Sequence, residues 1–501
     1  MMARFGEPLR EVAVIGGGLV GWSAAAALKR RVPGLSVTIL PIAPPPEALA
    51  DRMAGTLPSI LGFHADLGLG IEDTVLRTDS AYRLGSLFSG WAEGLADYVH
   101  AYGPHGRALG GVAFHLLWAR AAIDGGAPSF ETFAPAAMMA RNGRFVLPSH
   151  EPGALFGDHE VGLTLDVERY ADMLRAFAQH VGVQVRHGAI GKVALRGADG
   201  FIEKLHLDDG SELKAELFLD CTGPDGLLHA ELGSAREDWS RWLPCDRLLF
   251  AKGPPPETIP PLDTVTATAT GWRWSAATPA TASHGIAYAS AYGSEDAAAE
   301  TLRSASGATP DAAVAIAPGA RSEPWLRNCV AIGDAAVTLE PLEWTNLHLA
   351  HSAIDRLIAM LPGREWAPVE AADYNRQAIA EAGRARDFVA LHYAAARRDK
   401  PFWRAVAAVE PPASLAHSLA LFRERGRLPF HEEETFARDS WLAVLFGQGV
   451  LPRRADPLTQ AIPPQEARRA MEMLQAAIVQ ALPSLPTHTA FLGAQMRQLH
   501  R

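Results

Sequence analysis

The stretch Glu11–Trp22 constrains this chain more than any other. The short run Glu11-Val12-Ala13-Val14-Ile15 passes at once into Gly16-Gly17-Gly18-Leu19-Val20-Gly21, and then into Ser23-Ala24-Ala25-Ala26-Ala27-Leu28, a strong helix former. Strand, glycine turn and helix, in that order, is the context in which G-x-G-x-x-G reads as a dinucleotide fingerprint. Gly16 allows the tight turn, Gly18 lets the backbone approach a pyrophosphate, and Gly21 lets the helix pack close to the strand. The helix start then faces the phosphates with free N–H groups and partial positive charge.

Composition narrows the remaining choices. A chain of 501 residues, 48% of them hydrophobic, can bury a large core and hold two or three subdomains. Its net charge of −10, with no basic block, makes nucleic acid and anionic membranes poor partners. Cys221, Cys245 and Cys329 are far apart and form no CxxC, which argues against a zinc site or a disulfide scaffold and suits a reducing compartment. There is no cationic-then-apolar opening segment and no apolar run long enough to span a bilayer, so the expectation is a soluble, cytoplasmic protein.

Leu35–Leu40 reads as the second strand of the nucleotide unit. Such a strand usually ends in an acid that binds the ribose hydroxyls. Here the position is Pro41, and Glu47 and Asp51 are the nearby acids for that role. Leu217–Gly223 reads as a buried strand that breaks at glycine. Cys329–Ala336 is a second strand-to-turn-to-helix signal, in which Asp334 is placed to accept from a ribityl hydroxyl or simply to cap a helix. Glu343 precedes a helix over Leu347–Leu361, where first-turn acids are routine. Leu163–Tyr170 starts another helix, with Asp166 as its N-cap. Arg83, taken by itself, reads as a solvated strand end. Trp272 and Trp274, two apart on one strand face, read as a packed core pair. From Trp366 onward the pattern is mostly helical, with breaks at Glu410-Pro411-Pro412 and Ala461-Ile462-Pro463-Pro464.

Taken in order, these segments resemble the flavin-dependent tryptophan halogenase family over nearly the whole chain. The matching motifs are GGGLVGW at Gly16–Trp22, TLPS at Thr56–Ser59, AYRLG at Ala81–Gly85 and LFLDCTGPDGLL at Leu217–Leu228. They continue with GWRW at Gly271–Trp274, GIAYAS at Gly285–Ser290 and IGDAA through EPLEWT at Ile332–Thr345. In the C-terminal part they are LHY at Leu391–Tyr393, RRDKPFW at Arg397–Trp403 and GQGVLP at Gly447–Pro452.

The resemblance implies an α/β fold: an FAD-binding, Rossmann-type three-layer module of the flavin monooxygenase kind, joined to a β-sheet and helical substrate-side module. In chain order the expected division is residues 1–360 for the FAD module, with the substrate-side sheet and helices inserted, and residues 361–501 for a mostly helical module. The resemblance also implies cofactor contacts at Gly16, Gly17, Gly18, Leu19, Val20 and Gly21, and further ones at Leu57, Pro58, Ile190, Gly223 and Asp334. It places a halide seat at Thr345 and Asn346, and catalytic roles at Arg83 and Glu343. No metal is expected. The implied chemistry uses reduced FAD and oxygen, through a C4a-hydroperoxide, to oxidise halide and halogenate an indole or other small aromatic molecule. Only one G-x-G-x-x-G stands between a strand and a helix, and the resemblance implies that the reduced FAD comes from a separate flavin reductase. Many members of the family pair as homodimers.

Several positions depart from the family pattern. The family's lysine falls on Arg83, and a guanidinium cannot readily become a chloramine. The Gly-Glu-Ala loop against the flavin reads Met53-Ala54-Gly55, and Trp344 and Asn346 put bulk on either side of Thr345. The Trp-x-Trp-x-Ile-Pro motif is half kept, as Trp272–Ala277. The alternatives to halogenation are therefore a flavin monooxygenase or oxidase acting on a small aromatic molecule, and a non-catalytic FAD-binding partner protein.

Overall fold

Glu11–Ile15 lies inside a six-stranded sheet in the computed structural model of the chain, which describes residues 7–149, 151, 153–431 and 434–499. The strand order is Trp325–Leu326, Cys329–Ala331, Leu217–Asp220, Glu11–Ile15, Ser36–Leu40, Gln184–Val185. Every pairing is parallel except that of the edge strand Trp325–Leu326. Both faces of this sheet are covered, which is why its strands are almost uninterruptedly apolar. On one face lies the helix Leu19–Arg31, which packs against the helices Val167–His180 and Thr345–Ala359. On the other lies a three-stranded antiparallel sheet, Ile190–Leu195, Ile202–Leu207 and Glu212–Leu213. Ala13, Ile15, Leu40, Phe218 and Cys329 meet Ile202, Leu205, Leu207 and Leu213 in one buried cluster between the two sheets. The expected three-layer α/β module is thus present.

The chain forms two compact units, each assembled from separated stretches. The first takes the chain through Thr78, Leu165–Ser240 and Val314–Gly383; the second takes Asp79–Thr164, Arg241–Ala313 and the chain from Arg384 on. The units interleave, so a division at residue 360 follows chain order and not these units. The second unit is built on a mixed sheet in the order Arg247–Gly253, Ala282–Tyr288, Gly271–Ala277, Asp263–Ala267, Gly85–Ser89, Tyr98–Ala101. Trp272 and Trp274 share a face of that sheet, with ring centroids 5.5 Å apart, and both are buried as a core pair. Its helices include Phe114–Ile123, Pro401–Ala407, Ala413–Arg425, Arg438–Gly447 and Pro464–Ala481, separated at the proline-rich breaks. Among the described residues no helix is long and apolar enough to cross a membrane.

Three local expectations are corrected. Leu163 belongs to a strand, Gly162–Thr164, paired with Ala81–Arg83; the helix begins after it, with Asp166 accepting from the Arg169 N–H at 3.2 Å. Arg83 is a strand end, as expected, but it is fully buried and not solvated. Cys329–Ala331 leads into a single 3-10 turn, Gly333–Ala335, and then the strand Val337–Thr338, so Asp334 caps no α-helix.

The approach of helix to strand at the first turn is close. A Cβ added at Gly21 would lie 2.1 Å from the Gly16 carbonyl oxygen, a backbone atom that cannot swing aside. Gly21→Ala is therefore expected to destabilise the protein by at least about 1–3 kcal/mol, the usual range for overpacking. Thermal unfolding of the variant checks this; an unchanged midpoint would show that the helix can move off the strand.

Candidate active site

The glycine turn, the Pro41–Asp51 segment and the Gly333 turn converge in the first unit. The N–H groups of Gly16 and Gly17 donate to Leu40 O at 3.0 Å and Ile42 O at 2.6 Å, tying the turn to the end of the second strand. Gly223 lies against Pro45 and Ala48, and Gly333 against the Val20 side chain. The open side of Gly18 faces a carboxylate: an added Cβ would sit 2.3 Å from Asp51 Oδ1 and 2.8 Å from Oδ2. The Val20 N–H donates to Asp51 Oδ1 at 2.8 Å. Burial raises the Asp51 carboxyl from 3.8 to about 6, against the pull of the Val20 and Leu19 N–H groups. Asp334 Oδ2 accepts from the Ala50 N–H at 2.7 Å, while its Oδ1 is buried without a hydrogen-bond partner among the described residues. Burial raises Asp334 from 3.8 to about 7, with the nearby Asp51 charge adding to the shift.

Thus Gly16, Gly17, Gly18, Leu19, Val20, Gly21, Gly223 and Asp334 are brought around one cradle. Ile190 has a different setting: it is half-buried in the three-stranded sheet and packs against the apolar cluster. Beside the cradle, Asp220 accepts from Thr222 Oγ1 at 2.6 Å, Leu228 N at 2.9 Å and His229 N at 3.0 Å, which fixes the glycine loop after the strand. Asp220, His229 and Cys329 lie close enough to hold a metal ion, but burial keeps the Cys329 thiol protonated and Asp220 is already taken up by Thr222 Oγ1 and the Leu228 and His229 N–H groups.

The second part of the site is the turn before the helix Thr345–Ala359. Glu340 precedes and Glu343 ends a 3-10 turn, Pro341–Glu343, and both are fully buried, unlike ordinary exposed first-turn acids. Trp344 reverses the chain with φ of +59°, a conformation uncommon outside glycine. The helix then starts at Thr345, whose Oγ1 is buried without a partner. Asn346 donates from Nδ2 to Leu339 O at 3.1 Å and leaves its own Oδ1 buried and unpartnered. A helix N-terminus with free N–H groups is suited to an anion. The Trp344 indole lies flat on Gly55, where an added Cβ would meet the ring at 2.2 Å. Gly55 and Trp344 therefore fit each other. Leu57 is buried and Pro58 half-buried in the loop that follows Gly55; that loop is held to the same helix, Ser59 Oγ lying 2.7 Å from His348 Nδ1.

Arg83 belongs to the second unit and is held in a polar cluster of its own. Its guanidinium donates to Asp263 and Tyr102, and to Ser86 Oγ at 2.6 Å; Ser86 Oγ donates to Asp263 Oδ1 at 3.1 Å. Asp263 and Ser86 are also fully buried. Asp263, Tyr102, Ser86, the helix-capping position of Asp51 and the burial of Glu340 were not read from the sequence. Asp51 was legible as a stray acid near the nucleotide unit, but its contact with Val20 spans 31 residues, and that of Arg83 with Asp263 spans 180.

These residues fit a dinucleotide cofactor. The Asp51 carboxylate demonstrates that the start of the first helix accepts an anion, and Asp334 Oδ1 is a buried acceptor still in need of a donor. Comparison with known proteins agrees. The tryptophan halogenase family model matches residues 11–464. BrvH, a flavin-dependent halogenase from Brevundimonas sp. BAL3, superposes with a TM-score of 0.91 at 33% identity, covering 97% of this chain and 99% of BrvH. Xcc4156, a flavin-dependent halogenase from Xanthomonas campestris, gives 0.90 at 35% identity, covering 97% and 98%. The tryptophan 6-halogenase SttH of Streptomyces toxytricini is 26% identical, over 97% of this chain and 99% of its own. The chain belongs to the tryptophan halogenase family, and it is an enzyme of the oxidoreductase class.

Two outcomes follow from the buried charges. The folded Asp334 holds its proton more tightly than the unfolded chain does, so its contribution to stability is complete below pH 3.8 and lost as the pH rises through about 7. Relative to Asp334→Asn, the ligand-free wild type should lose stability between pH 5 and 7 and change little above pH 8; unfolding of both proteins across that range checks it. Arg83→Ala leaves Asp263 buried without its cation and should destabilise by about 3–5 kcal/mol, whereas Arg83→Lys should cost less. Denaturant titration distinguishes them.

Proposed function

We propose that this enzyme is an FAD-dependent halogenase of an indole or other small aromatic molecule, supplied with reduced FAD by a separate flavin reductase. The observation that carries the reading is the set of buried, unpartnered oxygens, Asp334 Oδ1 at the glycine cradle and Thr345 Oγ1 at a helix N-terminus, within a fold shared with flavin-dependent halogenases. Bound reduced FAD would give two electrons to oxygen, and halide would give the other two, which leaves the halogen electrophilic, the flavin oxidised and water as the by-product.

The chain's own residues have separate tasks in this reading. The start of the first helix and Gly18 receive the pyrophosphate, and Asp334 accepts from a cofactor hydroxyl. The N–H groups that open the helix at Thr345 hold the halide, with the Thr345 hydroxyl beside them. The Arg83 guanidinium forms no N–halogen bond readily, so it acts as a fixed hydrogen-bonding cation. Glu343 takes the proton that the aromatic carbon gives up as the carbon–halogen bond forms.

The test supplies the purified protein with FAD, a flavin reductase, NADH, oxygen and indole, with and without bromide. The expected product carries bromine and forms only when bromide is present. An oxygenated product that forms equally without halide would overturn the reading. Arg83→Lys is expected to lower the halogenated yield severalfold, because one ammonium cannot hold Asp263, Tyr102 and Ser86 as the guanidinium does; a yield that rises would show that an amine, and not a fixed guanidinium, is what the reaction needs.

A further inference from the structure

We propose that Asp51 is an internal competitor for the cofactor: its carboxylate occupies the pyrophosphate seat of the ligand-free enzyme, and FAD binds only by displacing it. The inference rests on the FAD reading above.

Three observations define the contact. The space beside Gly18, which the missing side chain leaves for a phosphate, is filled by both oxygens of Asp51, 2.3 and 2.8 Å from where a Cβ would be. The Val20 N–H, one of the free donors at the helix start, is already used by Asp51 Oδ1 at 2.8 Å. The segment that carries Asp51, the short 3-10 turn Leu49–Asp51, is pinned by Asp334, whose Oδ2 accepts from the Ala50 N–H at 2.7 Å. The two carboxylates thus form a clasp: Asp334 holds the backbone of the turn, and Asp51 closes the anion site. Asp51 sits on Gly18 and Val20, which the pyrophosphate would engage, so its carboxylate and the pyrophosphate exclude each other sterically and by like charge.

Displacement has a functional consequence. A cofactor that must replace an internal hydrogen-bonded anion is held with less net affinity than the cradle could offer, and it leaves more readily. That suits an enzyme whose FAD arrives reduced from another protein and departs oxidised. The carboxylate also keeps the helix N-terminus satisfied while the site is waiting, and it opposes entry of simple anions.

The experiment measures FAD and, separately, ADP binding to the full-length wild type, Asp51→Ala and Asp51→Asn, by quenching of flavin fluorescence and by calorimetry. ADP carries the adenosine and pyrophosphate without the isoalloxazine ring. Asp51→Ala is expected to bind FAD at least fivefold more tightly and ADP by a similar factor. It should also unfold at a lower temperature without ligand, because the helix has lost its cap, yet show a larger upward shift when FAD is added. Asp51→Asn keeps an acceptor for Val20 and removes the charge; it should bind FAD more tightly by a smaller factor, and it serves if the alanine variant does not fold. Wild-type FAD binding that is unchanged or weakened by both substitutions would overturn the clasp and leave the FAD reading standing. Tighter FAD with unchanged ADP would also overturn it, because the effect would then lie away from the pyrophosphate. No FAD binding by any of the three proteins would overturn both.

Discussion

The distance between Gly21 and the Gly16 carbonyl is the constraint on which the first unit depends. A Cβ there would come within 2.1 Å of a backbone oxygen, so only glycine lets the helix Leu19–Arg31 lie this close to the strand Glu11–Ile15. That approach sets the height of the helix above the sheet and aims its free N–H groups at the Pro41–Asp51 segment. The small residues Ala24–Ala27 continue it, each of them fully buried. The neighbouring helices Val167–His180 and Thr345–Ala359 pack on the helix so placed. The cradle and the turn before Thr345 are thereby parts of one packed layer and not independent loops.

Buried charge is handled differently in the two units. In the first, Asp51 and Asp334 take backbone N–H groups and are pushed toward neutrality by burial. Such groups can be displaced, because a bound anion can replace one and a cofactor hydroxyl can serve the other. In the second unit, Arg83 and Asp263 neutralise each other, with Ser86 bridging them and Tyr102 on the guanidinium. Removing either partner strands the other charge in the interior, so this cluster is a fixed feature. A displaceable anion site for a transient cofactor and a fixed cation are consistent with the roles proposed for each.

Close-fitting groups recur in both units. Trp344 brings a large indole next to Thr345, and Gly55 supplies the flat surface on which it lies. A lysine ammonium is a compact donor on a flexible stem, whereas the planar guanidinium of Arg83 meets three oxygen partners at once. Substituting one member of either group without the other would open a void or leave a polar atom without its partner.

Much of this was legible in the sequence. The strand–glycine–helix order, the return strand ending at Asp220, the Trp272–Trp274 pair and the Asp166 cap all follow from steric demands that act within a few residues. The glycine turn was legible for the same reason. What the sequence left open lies at long separation. Whether Arg83 faces water or a carboxylate depends on Asp263, 180 positions away, and whether Asp51 serves a ribose or a helix terminus depends on Val20, 31 positions earlier. A side chain's residue type states the charge it carries; only the packed tertiary structure decides how much water it keeps and which opposite group it meets, and those two quantities set its chemistry.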